Sequence, residues 1–132
     1  MALQGKTVLI ADDSPDSRDY VRAALEDEGY TVLEAEDGAI ALPIIRAKKP
    51  DLVILDVEMP NKTGFEVFDD LRADEATRSI PIIMLTGVRR QMGEGMGPKD
   101  MKQYYGSEPE AYVDKPVDAE ELIEVVAKVL AK

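Results

Sequence analysis

Three aspartates and one lysine have the residue types and spacing in this sequence that suit chemistry. Asp12 and Asp13 follow a short apolar run, Asp56 follows another, and Lys115 precedes Pro116 near the end of the chain. Neighbouring carboxylates raise one another's pKa because their negative charges repel, and a bound hard cation offsets this repulsion. Mg²⁺ prefers one or two carboxylates together with waters and, often, a phosphate oxygen. If the three aspartates meet in the fold, they suit an incomplete Mg²⁺ site that is open to a phosphoryl group.

Thr86 and Lys115 are the candidates for contacting an anion at such a site. The Thr86 hydroxyl could donate to a phosphoryl oxygen, and the Lys115 ammonium could neutralise an anion near Asp56. Simpler interpretations stay open for each residue taken alone. Thr86 could close a turn with its own backbone, Lys115 could be a solvated surface lysine, and the aspartates could cap a helix or a loop. Only the order of the whole set along the chain favours chemistry.

The composition excludes several classes of function. The chain has 132 residues, with 16 basic and 27 acidic side chains, a formal net charge of -11, no cysteine and no histidine. These absences exclude disulfides, thiol catalysis, thiolate or imidazole metal sites, and a phosphohistidine on this chain. Because binding to phosphate backbones needs clustered lysine and arginine, we expect no direct nucleic-acid partner.

The length predicts one domain over residues 1–132. The first residues lack the basic start and apolar stretch of a signal peptide, and the apolar runs are too short to span a membrane. We therefore expect a cytoplasmic protein with no membrane association. The sequence ends just after the last predicted helix, which is expected both of a stand-alone domain and of a domain cut from a longer protein.

Short apolar segments alternate with helical patterns along the chain. Three of these segments lack polar alternation, which is typical of strands buried on both faces, and two weaker segments complete a set of five. The predicted strands are 7–11, 30–34, 52–55, 81–85 and 111–113. This alternation predicts an α/β domain with a parallel sheet, helices on both faces and right-handed crossovers.

The helical patterns have recognisable ends. The first helix is opened by Ser14 and closed by Gly29, and the second contains Pro43, where we expect a kink or local distortion. The last helix begins at Asp118, and Glu121 three residues later predicts a capping box.

The candidate residues all follow predicted strands. Asp12 and Asp13 come after the first strand, Asp56 after the third, Thr86 after the fourth and Lys115 after the fifth. In doubly wound sheets, ligands bind outside the carboxyl ends of the strands, where the strand order reverses. We therefore expect these side chains to converge at one edge of the sheet.

Four motifs in this arrangement resemble those of the receiver domain of two-component response regulators, the family that includes the chemotaxis response regulator. The motifs are VLIADDSPDSR, LVILDVEMPNKTG, IIMLTG and AYVDKP, and together they span nearly the whole chain. The resemblance implies a flavodoxin-like, doubly wound, five-stranded parallel sheet with strand order 2-1-3-4-5 and helices on both faces.

The resemblance also implies a function and a site. Asp56 would accept a phosphoryl group from a phosphohistidine of a sensor histidine kinase or a histidine phosphotransfer protein. Asp12 and Asp13 would hold Mg²⁺ together with Asp56 and the main-chain carbonyl of Glu58. Lys115 would offset charge on the transferring oxygens. Such a protein is a signalling switch that acts on a downstream protein target, and it is not a turnover enzyme.

The same resemblance implies a switch formed by Thr86 and Tyr112. The Thr86 hydroxyl would move to the phosphoryl group and the Tyr112 ring would turn inward behind it, which changes the surface around the fourth and fifth crossovers. Without the resemblance, Tyr112 is a partly buried aromatic with a wet hydroxyl. Glu58 lies where the family tunes loss of the phosphoryl group, and its carboxylate could hold a water or pair with Arg89. We expect a monomer or a weak dimer.

The segment 87–110 departs from the family pattern. It is longer than most receivers need for one crossover helix, and its glycines leave only Pro98 to Tyr105 as a predicted short helix. The segment is locally basic through Arg89, Arg90, Lys99 and Lys102, which indicates an acidic partner surface or a contact with the acidic site. In the family this region forms much of the partner-binding surface, so the departure predicts an unusual target or dimer, or a tolerated surface insertion.

Three alternative functions compete with that of a receiver. A haloacid-dehalogenase-like Mg²⁺ phosphatase needs a second aspartate two residues after the nucleophile, where this chain has Glu58. A flavodoxin-like cofactor binder is disfavoured because DDSPDSR would repel a flavin phosphate. A receiver-like module that binds partners without phosphorylation stays open, although every polar residue expected of a working receiver is present.

Overall fold

A computed structural model of the chain describes residues 5–86 and 109–131. Within these ranges the chain forms five strands and four helices in alternating order. The strands are β1 (Thr7–Ala11), β2 (Thr31–Ala35), β3 (Leu52–Asp56), β4 (Ile82–Thr86) and β5 (Ala111–Asp114). The helices are α1 (Pro15–Asp27), α2 (Gly38–Lys48), α3 (Gly64–Ala73) and α4 (Ala119–Ala131).

The five strands form one parallel sheet in the order β2-β1-β3-β4-β5. The α/β class, the parallel sheet and the strand order 2-1-3-4-5 are therefore confirmed. The predicted strand bounds hold to within one residue at each end. The order reverses between β1 and β3, which places the crevice expected to bind ligands at the carboxyl ends of these two strands.

Two apolar cores lie on opposite faces of this sheet, because successive side chains of a strand point to opposite faces. On one face, Leu9, Val53 and Met84 pack in a cluster with buried side chains of α2 and α3. On the other face, Ile10 and Ile54 pack with buried side chains of α1 and α4. All five residues of β3 and of β4 are buried, which agrees with a sequence that is apolar in each strand up to its last residue, Asp56 or Thr86.

The ends of α1 agree with the prediction, and α2 tolerates its proline. The Ser14 side chain accepts a hydrogen bond from the Ser17 N–H, and Gly29 adopts a positive φ of 95° just beyond the helix. The second helix continues through Pro43 to Lys48, so the proline does not end it. The Pro43 ring is exposed while Leu42 and Ile45 are buried in the core, so the helix keeps its apolar face on the sheet although Pro43 cannot donate a backbone hydrogen bond. The kink expected at Pro43 stays a prediction.

The capping box lies on a different helix from the one predicted. The Asp118 side chain accepts from the Glu120 N–H at 3.0 Å, so the box expected with Glu121 is not formed in the described structure. The Asp118 carboxylate thus caps the N–H of the residue two positions later, whereas a capping box would use the N–H of Glu121, three positions later. The reciprocal box occurs instead at the start of α3, between Thr63 and Glu66.

Two further predictions concern membrane-spanning helices and the segment 87–110. Among the described residues, no helix combines the length and apolar character needed to cross a bilayer. The short helix expected over Pro98 to Tyr105, and the basic residues of segment 87–110, lie outside the described residues.

Candidate functional site

The carboxyl edge of the sheet brings the predicted residues together. Backbone ladders continue to this edge: the Asp12 N–H donates to the Ala35 carbonyl at 3.1 Å, and the Lys115 N–H donates to the Thr86 carbonyl at 3.0 Å. Asp56 is the last residue of the central strand β3. Because each residue stands at the end of a rigid strand, its position follows from the register of the sheet.

Asp12, Asp13 and Asp56 form a compact carboxylate cluster. One carboxylate oxygen from each residue lies within 4.8 Å of the other two. Asp12 is fully buried and Asp56 is 5% exposed, whereas Asp13 faces solvent. Three hard oxygen donors, one of them open to water, match the partial coordination sphere that Mg²⁺ prefers. The donor chemistry therefore fits the metal expected from the sequence.

Lys115 supplies the positive charge of the site. Its Nζ lies 3.0 Å from Asp12 Oδ2 and 3.3 Å from Asp56 Oδ2, and its side chain is 28% exposed. The ammonium thus contacts two of the three carboxylates of the cluster, and with all three ionised the site keeps an excess of negative charge. This excess favours a cation, and the lysine also offers an ammonium to an anion that binds beside Asp56.

The local environment raises the pKa of Asp56 to about 7. Burial contributes most to the rise, and the neighbouring charge of Asp12 adds to it. The Lys115 ammonium and a hydrogen bond from the Glu58 N–H act in the opposite direction without cancelling the rise. Without a metal, the carboxyl therefore exchanges its proton near neutral pH.

The pKa of Asp12 shifts in the opposite direction to that of Asp56, although Asp12 is the less exposed of the two. Burial pushes its pKa upward, but hydrogen bonds from Ser14, Ser17 and Lys115 outweigh that effect and hold the pKa below its usual range. For the Lys115 ammonium, burial acts in the other direction and lowers the pKa, but the contacts with Asp12 and Asp56 outweigh burial and raise the pKa overall. In the metal-free site, Asp12 and Lys115 thus form a charged pair beside a partly protonated Asp56.

Two residues of α1 that the sequence analysis did not single out hold Asp12. The Ser17 hydroxyl donates to Asp12 Oδ2 at 2.7 Å, and Arg18 Nη1 donates to the Asp12 main-chain carbonyl at 2.7 Å. Arg18 Nε in turn pairs with Glu34 at 3.3 Å. Their signal in the sequence is weak, because it consists only of polar residues one helical turn after the acidic pair.

The loop after β3 is fixed against α2 and α3. The Asn61 side-chain amide donates to Asp37 Oδ2 at 2.9 Å, and Asp37 also caps α2 by accepting from the Ile40 N–H. The Gly64 N–H donates to the Val57 carbonyl at 3.0 Å and closes the loop. These contacts determine where the backbone of Glu58 lies relative to Asp56.

Gly64 allows the backbone to pass close to Asp56. A Cβ at this position would overlap the carbonyl oxygen of Asp56, which is a backbone atom that cannot rotate away. We expect Gly64→Ala to lower the free energy of unfolding by roughly 1–3 kcal/mol, measured by urea denaturation. Helix propensity alone predicts the reverse sign, because alanine is favoured over glycine in a helix. A stabilised variant would therefore contradict this close contact.

Thr86 and Tyr112 lie on the neighbouring strands β4 and β5, and Thr86 ends β4 at the same edge of the sheet as Asp56. Thr86 ends β4 and is 1% exposed, and Tyr112 is partly buried against the core of the α2 and α3 face. Met84 pairs with Tyr112 in the sheet register, and Thr86 pairs with Asp114. The movement expected of Thr86 and Tyr112 on phosphorylation stays a prediction. The metal-ligand role of the Glu58 main-chain carbonyl also stays a prediction. The pairing of Glu58 with Arg89 lies outside the described residues.

Open pockets flank the carboxylates on two sides. One has a volume of about 590 Å³ and is lined by Asp13, Val57, Glu58, Met59, Pro60, Thr63 and Phe65. The other has a volume of about 340 Å³ and is lined by Asp16, Ser17, Tyr20, Lys115, Pro116 and Val117. The two pockets therefore reach the site at Asp13 and at Lys115.

Comparison with known proteins gives consistent results over nearly the whole chain. The family model described as the response regulator receiver domain matches residues 8–127. The protein PilH of Pseudomonas aeruginosa is 35% identical over 128 residues, which cover 94% of this chain and 97% of PilH. Two other curated relatives are longer, and the matches span 53% and 49% of their lengths.

Solved structures resemble the described fold with similar coverage. The chemotaxis response regulator CheY4 of Vibrio cholerae superposes with a TM-score of 0.78 at 31% identity, covering 96% of this chain and 99% of CheY4. The receiver domain of the sensor histidine kinase PA1611 of Pseudomonas aeruginosa superposes with a TM-score of 0.82 at 25% identity, covering 97% of this chain and 99% of that domain. That domain has a magnesium ion coordinated in its active site cleft.

Proposed function

The chain belongs to the response regulator receiver family, whose members are phosphoryl-accepting signalling switches, and we propose that Asp56 is the residue that accepts the phosphoryl group. The observation that carries this assignment is the position of its carboxylate. It is buried at the end of the central strand, 3.3 Å from the Lys115 ammonium and inside the carboxylate cluster. A nucleophile, a cation site and an ammonium thus stand within reach of one phosphoryl group.

The proposed reaction is transfer from a phosphohistidine to the Asp56 carboxylate. A carboxylate oxygen of Asp56 attacks phosphorus in line, and an oxygen–phosphorus bond forms as the phosphorus–nitrogen bond breaks. The electron pair of the broken bond stays on the imidazole nitrogen, which takes a proton from solvent. These 132 residues include no histidine, so the proposed donor is a phosphohistidine outside them, on a sensor histidine kinase or a histidine phosphotransfer protein.

The carboxylates fit Mg²⁺ as the resident cofactor. Asp12, Asp13 and Asp56 would hold the ion, with the main-chain carbonyl of Glu58 as a further ligand. When bound, Mg²⁺ neutralises charge that develops on the phosphoryl oxygens. Two side chains of this chain have the other roles in the reaction. Asp56 supplies the attacking oxygen, and Lys115 donates to a phosphoryl oxygen.

The switch would follow from new contacts to the phosphoryl group. The Thr86 hydroxyl and the Lys115 ammonium would each donate to it, and the Tyr112 ring would turn inward behind Thr86. Hydrogen bonds to charged groups contribute roughly 1.5–3 kcal/mol each. Two such bonds sum to roughly 3–6 kcal/mol, and a nearly complete population shift needs about 5.5 kcal/mol. Over most of this range a partner that prefers the active form supplies part of the response.

The biological setting is proposed in the same terms. Receiver domains interact with histidine kinases and downstream targets, and we place this one in the cytoplasm as a monomer or weak dimer that acts on a protein target. It is a switch that catalyses its own phosphorylation and dephosphorylation rather than an enzyme that turns over a substrate. Glu58 stands where an aspartate-nucleophile phosphatase needs its general acid aspartate, which supports this distinction.

Mg²⁺ binding should depend on pH because Asp56 must lose its proton to bind the ion. With the pKa of Asp56 raised to about 7, the Mg²⁺ association constant is expected to rise about tenfold from pH 6 to pH 8. Calorimetric titration of the metal-free protein with MgCl₂ measures this rise. Asp56→Asn, which has no proton to release, is the control and should bind Mg²⁺ more weakly with a flatter pH profile. An equally steep profile in that variant would contradict the assignment.

Intact mass after incubation with acetyl phosphate and Mg²⁺ tests the proposed function. The native chain should gain one phosphoryl group, and Asp56→Asn or a sample with excess chelator should gain none. Absence of any gain in the native chain would favour a receiver-like module that acts without phosphorylation. Multiple turnovers with release of phosphate would favour the phosphatase.

A further inference from the structure

Ser17 occupies an unusual position beside the acidic site. It is the third residue of α1, and its backbone N–H is already used in the helix cap, where it donates to the Ser14 side chain at 3.2 Å. Its hydroxyl is therefore not needed to cap the helix, and it donates instead to Asp12 Oδ2 at 2.7 Å. This is a short contact between a half-buried hydroxyl and a fully buried carboxylate.

Three donors hold the Asp12 carboxylate, and they do not have equal roles in the proposed reaction. The Ser14 N–H donates to Oδ1 at 3.0 Å, while Ser17 and Lys115 share Oδ2. Lys115 also lies next to Asp56, and the proposed transfer draws its ammonium toward the phosphoryl group. Once Lys115 has moved, Ser17 is the side chain among these three donors that still holds Oδ2.

Carboxylates that bind a metal are oriented by hydrogen bonds from residues that do not touch the ion, and loss of such a partner typically weakens metal binding about 10–100-fold. Asp12 fits this description from two directions. Its side chain is held by Ser17, and its main-chain carbonyl is held by Arg18 Nη1 at 2.7 Å. Consecutive residues of one helical turn thus fix both the backbone and the carboxylate of Asp12.

We propose that Ser17 is a positioning residue for the Mg²⁺ site: its hydroxyl orients the Asp12 carboxylate for the metal and keeps it oriented when Lys115 moves to the phosphoryl group. The proposal rests on the proposed function, because it assumes that Asp12 binds Mg²⁺. Ser17 itself contacts neither the phosphoryl group nor the ion in this account.

The test is calorimetric titration of Ser17→Ala with MgCl₂, beside the rate of phosphorylation by acetyl phosphate. The Mg²⁺ dissociation constant should rise about tenfold, at the lower end of the range typical of such partners. At saturating Mg²⁺ the rate should return to that of the native chain, since only the orientation of a ligand has changed. Alanine is a better helix former than serine, so the variant should fold.

Two further variants separate positioning from a general structural effect. Ser17→Thr retains the hydroxyl and should bind Mg²⁺ nearly as tightly as the native chain. Thr77→Val is the matched control. Thr77 lies beyond the end of α3, is fully buried, and donates its hydroxyl to the Leu71 carbonyl at 2.8 Å. It should lose stability without losing Mg²⁺ affinity.

Two results would overturn the proposal while leaving the phosphoryl acceptor intact. One is unchanged Mg²⁺ affinity in Ser17→Ala, and the other is an equal loss in Thr77→Val. By contrast, a native chain that neither binds Mg²⁺ nor takes up a phosphoryl group would overturn the proposed function itself, and the positioning role with it.

Discussion

Asp56→Asn should make the metal-free protein more stable near pH 8, by on the order of 2–4 kcal/mol. The native chain must keep a carboxylate that is 5% exposed beside Asp12, and these surroundings raise the pKa of Asp56 to about 7. An amide of nearly the same shape has no charge to bury. Loss of the central residue of the site is thus expected to strengthen the fold.

The sign of the pH dependence follows from the direction of the pKa shift. An unfolded aspartate loses its proton near pH 4, whereas folded Asp56 keeps it until about pH 7. The native chain therefore loses stability as the pH rises through this interval, because the unfolded state releases the proton first. The advantage of Asp56→Asn should grow over the same interval and level off above it.

Urea unfolding near pH 5 and near pH 8, in the presence of a chelator, measures this advantage. Asp69→Asn is the matched control: Asp69 is exposed on α3, and surface substitutions of this kind usually change stability by less than about 0.5 kcal/mol. Mg²⁺ should reduce the difference between Asp56→Asn and the native chain, because the ion stabilises the native carboxylates. An Asp56→Asn protein less stable than the native chain at the higher pH would contradict the account of the site.

Lys115→Met should have the opposite effect on stability and a large effect on phosphorylation. Methionine keeps an unbranched side chain of similar length but leaves Asp12 and Asp56 without the ammonium that lies 3.0 Å and 3.3 Å away. Removing one partner of a buried pair costs about 3–5 kcal/mol, and the partial exposure of Lys115 reduces the expected loss to roughly 1–3 kcal/mol. Acetyl phosphate should phosphorylate the variant about 10²–10³-fold more slowly, as when one charge-stabilising donor is removed from an active site.

The stability and rate measurements on Lys115→Met test different parts of this prediction. The stability loss should shrink in the double variant Lys115→Met with Asp56→Asn, because one of the two carboxylates that need the ammonium is gone. Lys128→Met, on the exposed side of α4, is the control for loss of a lysine and should change neither quantity. A phosphorylation rate of Lys115→Met equal to that of the native chain at saturating Mg²⁺ would exclude the proposed role of Lys115.

The parts of the fold that could be predicted are those governed by local pattern. The unbroken apolar runs around Ile54 and Ile83 indicate strands buried on both faces, and the sheet buries them as expected. Because parallel strands end at one edge, the same pattern also brings Asp12, Asp56 and Lys115 together. The strand order came from the resemblance of four motifs to a family, since the alternation of elements alone is compatible with several orders.

The parts that could not be predicted depend on contacts between distant elements. Whether Ser17 faces Asp12 depends on the rotation of α1 against the strand end, and spacing along the chain does not determine that rotation to within one hydrogen bond. The same holds for Asn61 and Asp37, which meet across two loops at 2.9 Å. At the start of α4, the Tyr20 hydroxyl accepts from the Ala119 N–H at 3.2 Å, a long-range contact that local capping rules do not include.

Trapping the phosphorylated residue tests the central claim most directly. A phosphoaspartate is an acyl phosphate, and borohydride reduces it to homoserine with release of phosphate, whereas serine and threonine phosphates do not react. After incubation with acetyl phosphate and Mg²⁺ and then reduction, peptide sequencing should find homoserine at position 56 and unmodified residues at Asp12 and Asp13. Homoserine at either of those two positions, or a phosphoryl group that survives reduction on Thr86, would contradict the assignment of Asp56 as the acceptor.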